Sequence, residues 1–151
     1  MPQSLARLYV HIVFSTKYRS PFLMEKSIRK EMHAYLGGAC RNQGCPALTV
    51  GGVADHAHIL SRISRTICVA DLVQEIKMQS SKWVKSKGGI LKEFRWQTGY
   101  GAFSVGQREV ERVMAYIRNQ EAHHRKEQFQ TEYRRFLQEY GIDYDERYVW
   151  D

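Results

Sequence analysis

The sequence GGVADHAHIL, at residues 51–60, contains the pattern from which both the fold and the function can be approached. We interpret residues 55–63 as a β-strand that follows a short strand at residues 47–53. Alternate side chains of a strand lie on the same face, about 7 Å apart. His56 and His58 therefore point the same way and can bind one divalent metal ion, whereas Asp55 points to the opposite face and is a weaker ligand. The alternative is a pair of strand histidines without a metal.

The residues on either side of this strand predict a regular order of elements. Runs of β-branched and aromatic residues predict further strands at residues 8–15, 47–53 and 102–105, and apolar spacing predicts helices at 25–41, 69–85, 107–125 and about 127–140. The Gly51-Gly52 pair predicts a bulge or a tight bend, and Ser104 with Gln107 predicts a capping box. The order is β-α-β-β-α-β followed by helices. It predicts an α+β, ferredoxin-like fold, an antiparallel sheet with helices on one face plus C-terminal helices and a tail.

Length and composition limit the class of protein. The chain has 151 residues and a formal net charge of +7, which predicts one domain over 1–151, with a body at about 1–126 and a C-terminal helix and tail at about 127–151. No apolar run is long enough for a membrane span, and the N-terminus lacks a signal-peptide pattern. We therefore expect a cytoplasmic protein with no membrane partner. Three cysteines without CxxC spacing predict reduced thiols (Cys40, Cys45 and Cys68).

The charge is distributed unevenly along the chain. Lys and Arg outnumber Asp and Glu over residues 1–100, and the reverse holds over residues 127–151. A basic body with an acidic tail is typical of a protein whose body binds a polyanion. Ordinary scatter of surface charge is the alternative, and charge alone does not decide between the two.

A second pattern lies in the predicted helix at residues 107–125. Tyr116 and Gln120 are four residues apart, so they lie on the same helix face one turn apart. Taken alone, this pair is also consistent with a packing aromatic and an exposed amide. Together with the two histidines sixty residues upstream, however, the pair favours a functional role for Tyr116 and Gln120.

Together these patterns resemble a known superfamily over nearly the whole chain. The ordered segments are HIVFSTKYR at 11–19, DHAHIL at 55–60, IKMQSSKWVK at 76–85, WQTGYGAFSV at 96–105, YIRNQEAHH at 116–124 and DERYVW at 145–150. They resemble the HUH endonucleases, and specifically the single-tyrosine transposases of small bacterial insertion sequences. Ala57 stands between the histidines where a bulkier apolar residue is common in that family.

The resemblance implies a reaction and a set of roles. It implies a transposase that cleaves and rejoins single-stranded DNA through a covalent 5′-phosphotyrosine. Tyr116 would be the nucleophile, His56 and His58 the paired metal ligands, and Gln120 the third ligand. Mg²⁺ or Mn²⁺ would polarise the scissile phosphate, and imidazole accepts Mn²⁺ well. The phosphotyrosine stores the energy of the broken bond, so we expect no nucleotide cofactor. The sequence offers no evident general base.

The resemblance also implies partners, namely a DNA hairpin near the element ends and a second copy of the chain in a homodimer. Basic side chains predicted to contact DNA phosphates are Lys17, Arg19, Arg62, Arg65, Lys77, Lys82, Lys85, Lys92 and Arg95, and side chains predicted to stack on bases are Trp96, Tyr100 and Phe103. Trp83 is expected in the core, and His123 and His124 are expected at the surface or on DNA rather than on the metal.

Two other functions remain open from the sequence. One is a nucleic-acid-binding module on the same scaffold without catalysis, which would bind in a salt-sensitive way and ignore Mn²⁺. The other is a domesticated relative that processes repeated genomic hairpins with the same chemistry.

Overall fold

The order of secondary structure agrees closely with the sequence prediction. A computed structural model describes residues 2–151 of the chain. The strands are β1 (Leu8–Ser15), β2 (Ala47–Val53), β3 (His56–Ile63) and β4 (Gly101–Val105), and the helices are α1 (Lys26–Asn42), α2 (Val69–Lys85), α3 (Val110–Arg118), α4 (Gln120–His123) and α5 (Phe129–Glu139). Short 3-10 turns lie at Lys17–Arg19, Gly89–Glu93 and Gln107–Glu109.

The four strands form one antiparallel sheet in the order β2-β3-β1-β4. The first strand pairs with both β3 and β4, which is the connectivity of the split β-α-β-β-α-β arrangement. The predicted α+β, ferredoxin-like fold is therefore confirmed. In this register Val13 lies opposite His58 and Ser15 lies opposite His56, so the two histidines lie beside the centre of the sheet.

One face of the sheet is apolar. Val10, Ile12 and Phe14 of β1 and Ala57 and Ile59 of β3 are buried there under α1 and α2. Burial of such side chains is the main favourable contribution to folding. This face fixes the position of β3, and with it the histidines on the opposite face.

The other face of the sheet is covered by the C-terminal helices. Phe103 and Val13 pack against Phe129, Tyr133 and Leu137 of α5. Leu60 and Val105 pack against Val110 and Ile117 of α3. The helices α1 and α2 thus lie on one face, as predicted, and the additional helices close the other.

The tail after α5 folds back onto the body. The backbone N–H of Gly99 donates to the carbonyl of Asp151 at 2.7 Å. The guanidinium of Arg19 lies 5.7 Å from the ring centre of Trp150, and Arg134 lies 5.0 Å from the same ring. The acidic and aromatic tail is therefore held by aromatic and cationic contacts.

The sequence prediction was wrong at three details of the chain path. The helix predicted at 107–125 is a 3-10 turn followed by α3 and α4, with a break at Asn119 (φ −97°, ψ 20°). Its start has no side-chain cap, because Ser104 remains in β4. The strand β2 continues through Gly51 and Gly52, and its register shift lies instead between Ala47 and Thr49. A Cβ at Gly51 would collide with the carbonyl of Ile117, so glycine allows α3 to approach the strand.

Two further features concern cysteines and membranes. The three cysteines are free thiols, as expected, with Cys40 and Cys45 buried. Within residues 2–151, none of the helices combines the length and the apolar composition that crossing a lipid bilayer requires.

Candidate active site and metal centre

The two histidines of β3 lie side by side on the polar face of the sheet. His56 and His58 are fully buried, and their ring centres are 5.2 Å apart. His56 Nδ1 donates to Asp55 Oδ1 at 2.7 Å, and His58 Nδ1 shares a hydrogen bond of 2.8 Å with His11 Nε2. The prediction that Asp55 points away from His56 was wrong, because Asp55 lies in the turn before β3, where strand alternation does not apply.

The carboxylate of Glu132 on α5 lies at the centre of this cluster. Its side chain is fully buried, and its Oε1 lies 3.0 Å from His58 Nε2 and 3.5 Å from His56 Nε2. Its Oε2 lies 3.2 Å from His124 Nε2. Burial alone would raise the pKa of this carboxyl, but the nearby imidazoles of His124, His56 and His58 outweigh it and hold the pKa well below its usual range. Sequence reasoning did not identify Glu132.

The predicted ligand Gln120 also joins the cluster. It is buried at the start of α4, with its Oε1 3.2 Å from His56 Nε2. Its Nε2 donates to Glu132 Oε2 at 3.3 Å. The break at Asn119 separates Gln120 from α3, yet the amide still reaches the histidines. Its carbonyl oxygen is thus available as a ligand atom.

The predicted nucleophile Tyr116 lies at the edge of the same cluster and is half-buried. Its ring centre is 5.9 Å from that of His58, and its hydroxyl donates to Glu132 Oε2. Arg135 donates to the hydroxyl oxygen at 3.1 Å. Burial raises the pKa of Tyr116 well above its usual value, the charge of Glu132 adds to this, and Arg135 opposes it. The phenol opens onto a cleft of about 250 Å³ that Arg112 and Arg135 also line.

The two histidines of β3 differ in their affinity for protons. Burial lowers the pKa of His58 to about 4, although Glu132 acts in the opposite direction. Burial also lowers the pKa of His56, but its hydrogen bonds to Asp55 and Glu132 outweigh this and raise the pKa to about 9. The carboxylates therefore determine the direction of the pKa shift of His56, whereas burial determines that of His58.

The donor set fits a divalent metal. One ligand atom each from His56, His58, His124 and Glu132 lies within 4.8 Å of all the others. The three imidazoles turn Nε2 to the centre, while each Nδ1 is hydrogen-bonded outward; for His124 the acceptor is the Glu127 carbonyl at 2.7 Å. Metal-binding histidines typically have such outer partners, which fix the ring and leave the other nitrogen free.

His124 supplies a further argument for a metal. Its Nε2 is buried, lies close to Glu132 and yet forms no hydrogen bond. A buried polar atom without a partner is costly, and a metal ion would satisfy it. The prediction that His124 is a surface residue was wrong, because its side chain is 8% exposed. His123 is more exposed and pairs with Glu127 and the Tyr116 hydroxyl.

The residues predicted to contact DNA fall into separate groups. A cleft of about 620 Å³ between α2 and the segment before β4, here called the α2 cleft, is lined by Lys17, Lys77, Lys85, Arg95, Trp96 and Tyr100 among others. Lys77 donates to the carbonyls of Gln97, Thr98 and Gly99, and burial lowers its pKa to about 8. This lysine therefore holds the segment in place. The exposed cations Arg62, Arg65, Lys82 and Lys92 lie outside the cleft lining.

Two of the predicted stacking residues are buried. Trp96 packs against Phe14 and Phe94, and its Nε1 donates to Ser80 Oγ at 2.9 Å. Phe103 is 1% exposed beneath α5. The prediction that these two rings stack on bases was wrong, because both complete the protein core. Tyr100 is exposed, and Trp83 is half-buried against Tyr35 rather than central in the core.

Fold and site together describe an α+β protein in which a buried cluster of histidines and one glutamate lies beside a tyrosine. The profile of the family described as "Transposase IS200 like" matches residues 4–120. The chain belongs to this transposase family, as the sequence resemblance predicted. The match ends at Gln120, so His124 and Glu132 lie outside the matched segment.

Solved structures give the same answer for the fold. A candidate transposase from Deinococcus radiodurans R1 is 20% identical, with a TM-score of 0.62 over 80% of this chain and 95% of that chain. A REP-associated tyrosine transposase bound to a REP hairpin is 11% identical, with a TM-score of 0.56 over 79% of this chain and 70% of that chain. Among the curated proteins, none matches the chain.

Proposed function

We propose that this transposase cleaves and rejoins single-stranded DNA, with Tyr116 as the nucleophile and a 5′-phosphotyrosine as the intermediate. The observation that supports the proposal most strongly is the contact of the Tyr116 hydroxyl with Glu132, which in turn contacts His56 and His58. The proposed nucleophile and the proposed metal-binding imidazoles therefore contact the same carboxylate.

The steps follow from the chemistry of the residues. The phenol oxygen of Tyr116 attacks phosphorus, the 3′-hydroxyl leaves, and the 5′-phosphate stays on the tyrosine. Attack of a 3′-hydroxyl on this linkage rejoins the strand and releases the phenol. The Glu132 carboxylate holds the hydroxyl proton, and the Arg135 guanidinium favours negative charge on the oxygen.

His56, His58 and Gln120 would hold the metal, with the Glu132 oxygen and His124 Nε2 as further ligands. A divalent cation bound there would polarise the scissile phosphate. A set of imidazoles with one carboxylate accepts Mn²⁺ readily and favours it over Mg²⁺, which prefers oxygen ligands. We therefore expect Mn²⁺ to support the reaction better than Mg²⁺.

Access of the phosphate requires a movement of α5. His56, His58 and Glu132 are all fully buried, and Glu132 lies between the tyrosine and the two histidines. A phosphate that contacts both Tyr116 and the metal must take part of this space. The helix α5 therefore has to shift away from the sheet when DNA binds.

The DNA partner we propose is a single strand that carries a hairpin. The structural neighbour bound to a REP hairpin supports it, together with the family and the basic character of the body. A homodimer stays a prediction, for which the sedimentation of the purified protein is the direct measurement.

The test uses labelled single-stranded DNA from the element ends with Mn²⁺, followed by a denaturing gel. We expect a covalent protein–DNA band in the unmodified protein and in Tyr148→Phe, whose ring is 64% exposed, and no such band in Tyr116→Phe. Because only the hydroxyl is removed, Tyr116→Phe should still bind the hairpin. A band that persists in Tyr116→Phe would contradict the proposed nucleophile, and bound hairpin without any band would favour the binding module.

A further inference from the structure

A second basic cleft lies beside the metal centre, on the side away from the α2 cleft. It has a volume of about 570 Å³, and we call it the α1–α4 cleft. Its lining comes largely from α1 and from the segment around α4, and among the described residues Glu121 is its one carboxylate. The basic side chains of the lining are Lys26, Arg29, Lys30, His33, Arg118 and Arg125. None of these cations was among the residues predicted to contact DNA.

The cations of this cleft divide into two groups. Arg29 donates to Glu121 Oε1 at 2.7 Å, and Lys26 lies 4.0 Å from the same carboxylate, so these two fix α1 to α4. Lys30, Arg118 and Arg125 are exposed, and within residues 2–151 no carboxylate lies within salt-bridge distance of them. Three unpaired cations around one concave surface create a positive potential that attracts an anion.

His33 adds a neutral polar group to the cleft. Its Nε2 is buried and forms no hydrogen bond with the described residues. Burial and the nearby Arg29 lower the pKa of His33 to about 4, so the ring is neutral at pH 7 and Nε2 can take part in one hydrogen bond. A ligand with a polar edge would supply the partner that the protein does not.

The inner end of the cleft reaches the metal centre. Gly51 and Gly52 of β2 form part of its wall. Gln120 also lines it, and the amide oxygen of this residue is 3.2 Å from His56 Nε2. A polymer that occupies the cleft would therefore continue toward Gln120 and the proposed metal ligands.

We propose that the α1–α4 cleft binds the single-stranded DNA next to the scissile phosphate, with Lys30, Arg118 and Arg125 on phosphates and His33 on a base edge. This inference rests on the proposed function and adds the path of the strand. The α2 cleft is less suited to this role, because its most buried cation, Lys77, is occupied by three backbone carbonyls. A single DNA strand presents phosphates and bases in alternation. The cations of the cleft can contact the phosphates, and the neutral imidazole of His33 can contact a base.

The test measures binding rather than cleavage, in a Tyr116→Phe background. The probe is a fluorescent oligothymidylate of about eight nucleotides, a length within the usual site size for single strands. The triple variant Lys30→Ala, Arg118→Ala, Arg125→Ala removes the three unpaired cations. The control, Arg7→Ala, Arg41→Ala, Arg108→Ala, removes the same charge from exposed positions outside the cleft lining.

We expect the cleft variant to lose affinity by about tenfold or more at low salt. The slope of log affinity against log salt should become less steep by about 2, because each phosphate contact on a single strand contributes about 0.7 and three contacts are removed. In the control variant, the affinity and the salt slope should both stay close to those of the parent protein. An equal loss in both variants, or none in the cleft variant, would overturn the inference. A covalent adduct on hairpin DNA tests the proposed function separately, so the two failures are distinguishable.

His33 gives an independent readout. The ¹⁵N resonance of its Nε2 should shift when oligothymidylate is added to the Tyr116→Phe protein, because the nitrogen gains a hydrogen-bond partner. The same titration with the triple cleft variant should leave the resonance unchanged at equal oligonucleotide concentration. A resonance that does not move in the parent protein at saturation would remove His33 from the proposed site.

Discussion

The two faces of the sheet are built from the same strands and have opposite characters. On β3, Ala57 and Ile59 face α1 and α2, whereas His56 and His58 face the C-terminal helices. The first face is stabilised mainly by close packing and apolar burial. The second buries imidazoles and a carboxylate, which is tolerated only because each is hydrogen-bonded or placed to bind a metal.

This contrast separates stability from chemistry. A change on the apolar face should alter the free energy of unfolding and leave metal binding intact in the folded molecules. A change on the polar face should do the reverse as long as its shape is preserved. Both expectations can be measured on the same purified protein.

The largest change in metal binding is expected for Glu132→Gln. The amide keeps the shape but removes the negative charge that faces His56, His58 and His124. Loss of an outer partner of a ligand typically costs 10–100-fold in metal affinity, and we expect about 100-fold or more for a direct ligand. The measurement is calorimetric titration with Mn²⁺.

A matched control for this variant is Glu139→Gln, an exposed position on the same helix. It should bind Mn²⁺ like the unmodified protein. If Glu132→Gln and Glu139→Gln bind Mn²⁺ equally well, Glu132 is not a metal ligand. In that case α5 contributes only hydrogen bonds to the polar face.

The apolar face is tested by Ile59→Ala. Ile59 is fully buried in the core between the sheet and α1 and α2, so its truncation removes apolar contacts and leaves a cavity. We expect a loss of about 2–5 kcal/mol in the free energy of unfolding, measured by urea denaturation. Ile90→Ala, at a position that is 74% exposed, should change it by less than about 0.5 kcal/mol. A lowered Mn²⁺ affinity in folded Ile59→Ala would show that the two faces are not separable.

The apolar face was predictable from the sequence because its signals are local. Runs of β-branched and aromatic residues gave β1 and β2 with the observed bounds, Leu8–Ser15 and Ala47–Val53, and helical spacing gave Val69–Lys85 for α2. The alternation of side chains along a strand placed His56 and His58 on one face. These inferences need only the chain near each residue.

The polar face was predictable only in part, because its members come from distant elements. Tyr116 and Gln120 were found through the family resemblance, but the helix break at Asn119 was not. Glu132 had a signal of its own: it falls within the apolar spacing of Phe129, Tyr133 and Phe136 on an amphipathic helix. An acidic residue on such a face is expected to meet a buried partner, and the sequence does not say which.

In the aromatic segment that leads into β4, amino-acid composition gave the wrong prediction of which side chains are exposed. Trp96 and Phe103 stand among glycines and polar residues, a composition typical of an exposed binding loop. Both rings are buried, because Trp96 packs against Phe14 on one face of the sheet and Phe103 packs beneath α5 on the other. Composition identifies aromatic side chains but not the surface against which they pack.

The smallest effect is expected for Asp55→Asn, at the outer edge of the polar face. The amide oxygen can still accept the hydrogen bond from His56 Nδ1, so the ring should keep its orientation and lose only the charge behind it. We expect Mn²⁺ affinity to fall by about tenfold, less than for Glu132→Gln. Asp143→Asn, an exposed change in the tail, is the control. A loss as large as that of Glu132→Gln would mean that Asp55 acts as a ligand itself. No loss at all would mean that the negative charge of Asp55 does not contribute to metal binding through His56.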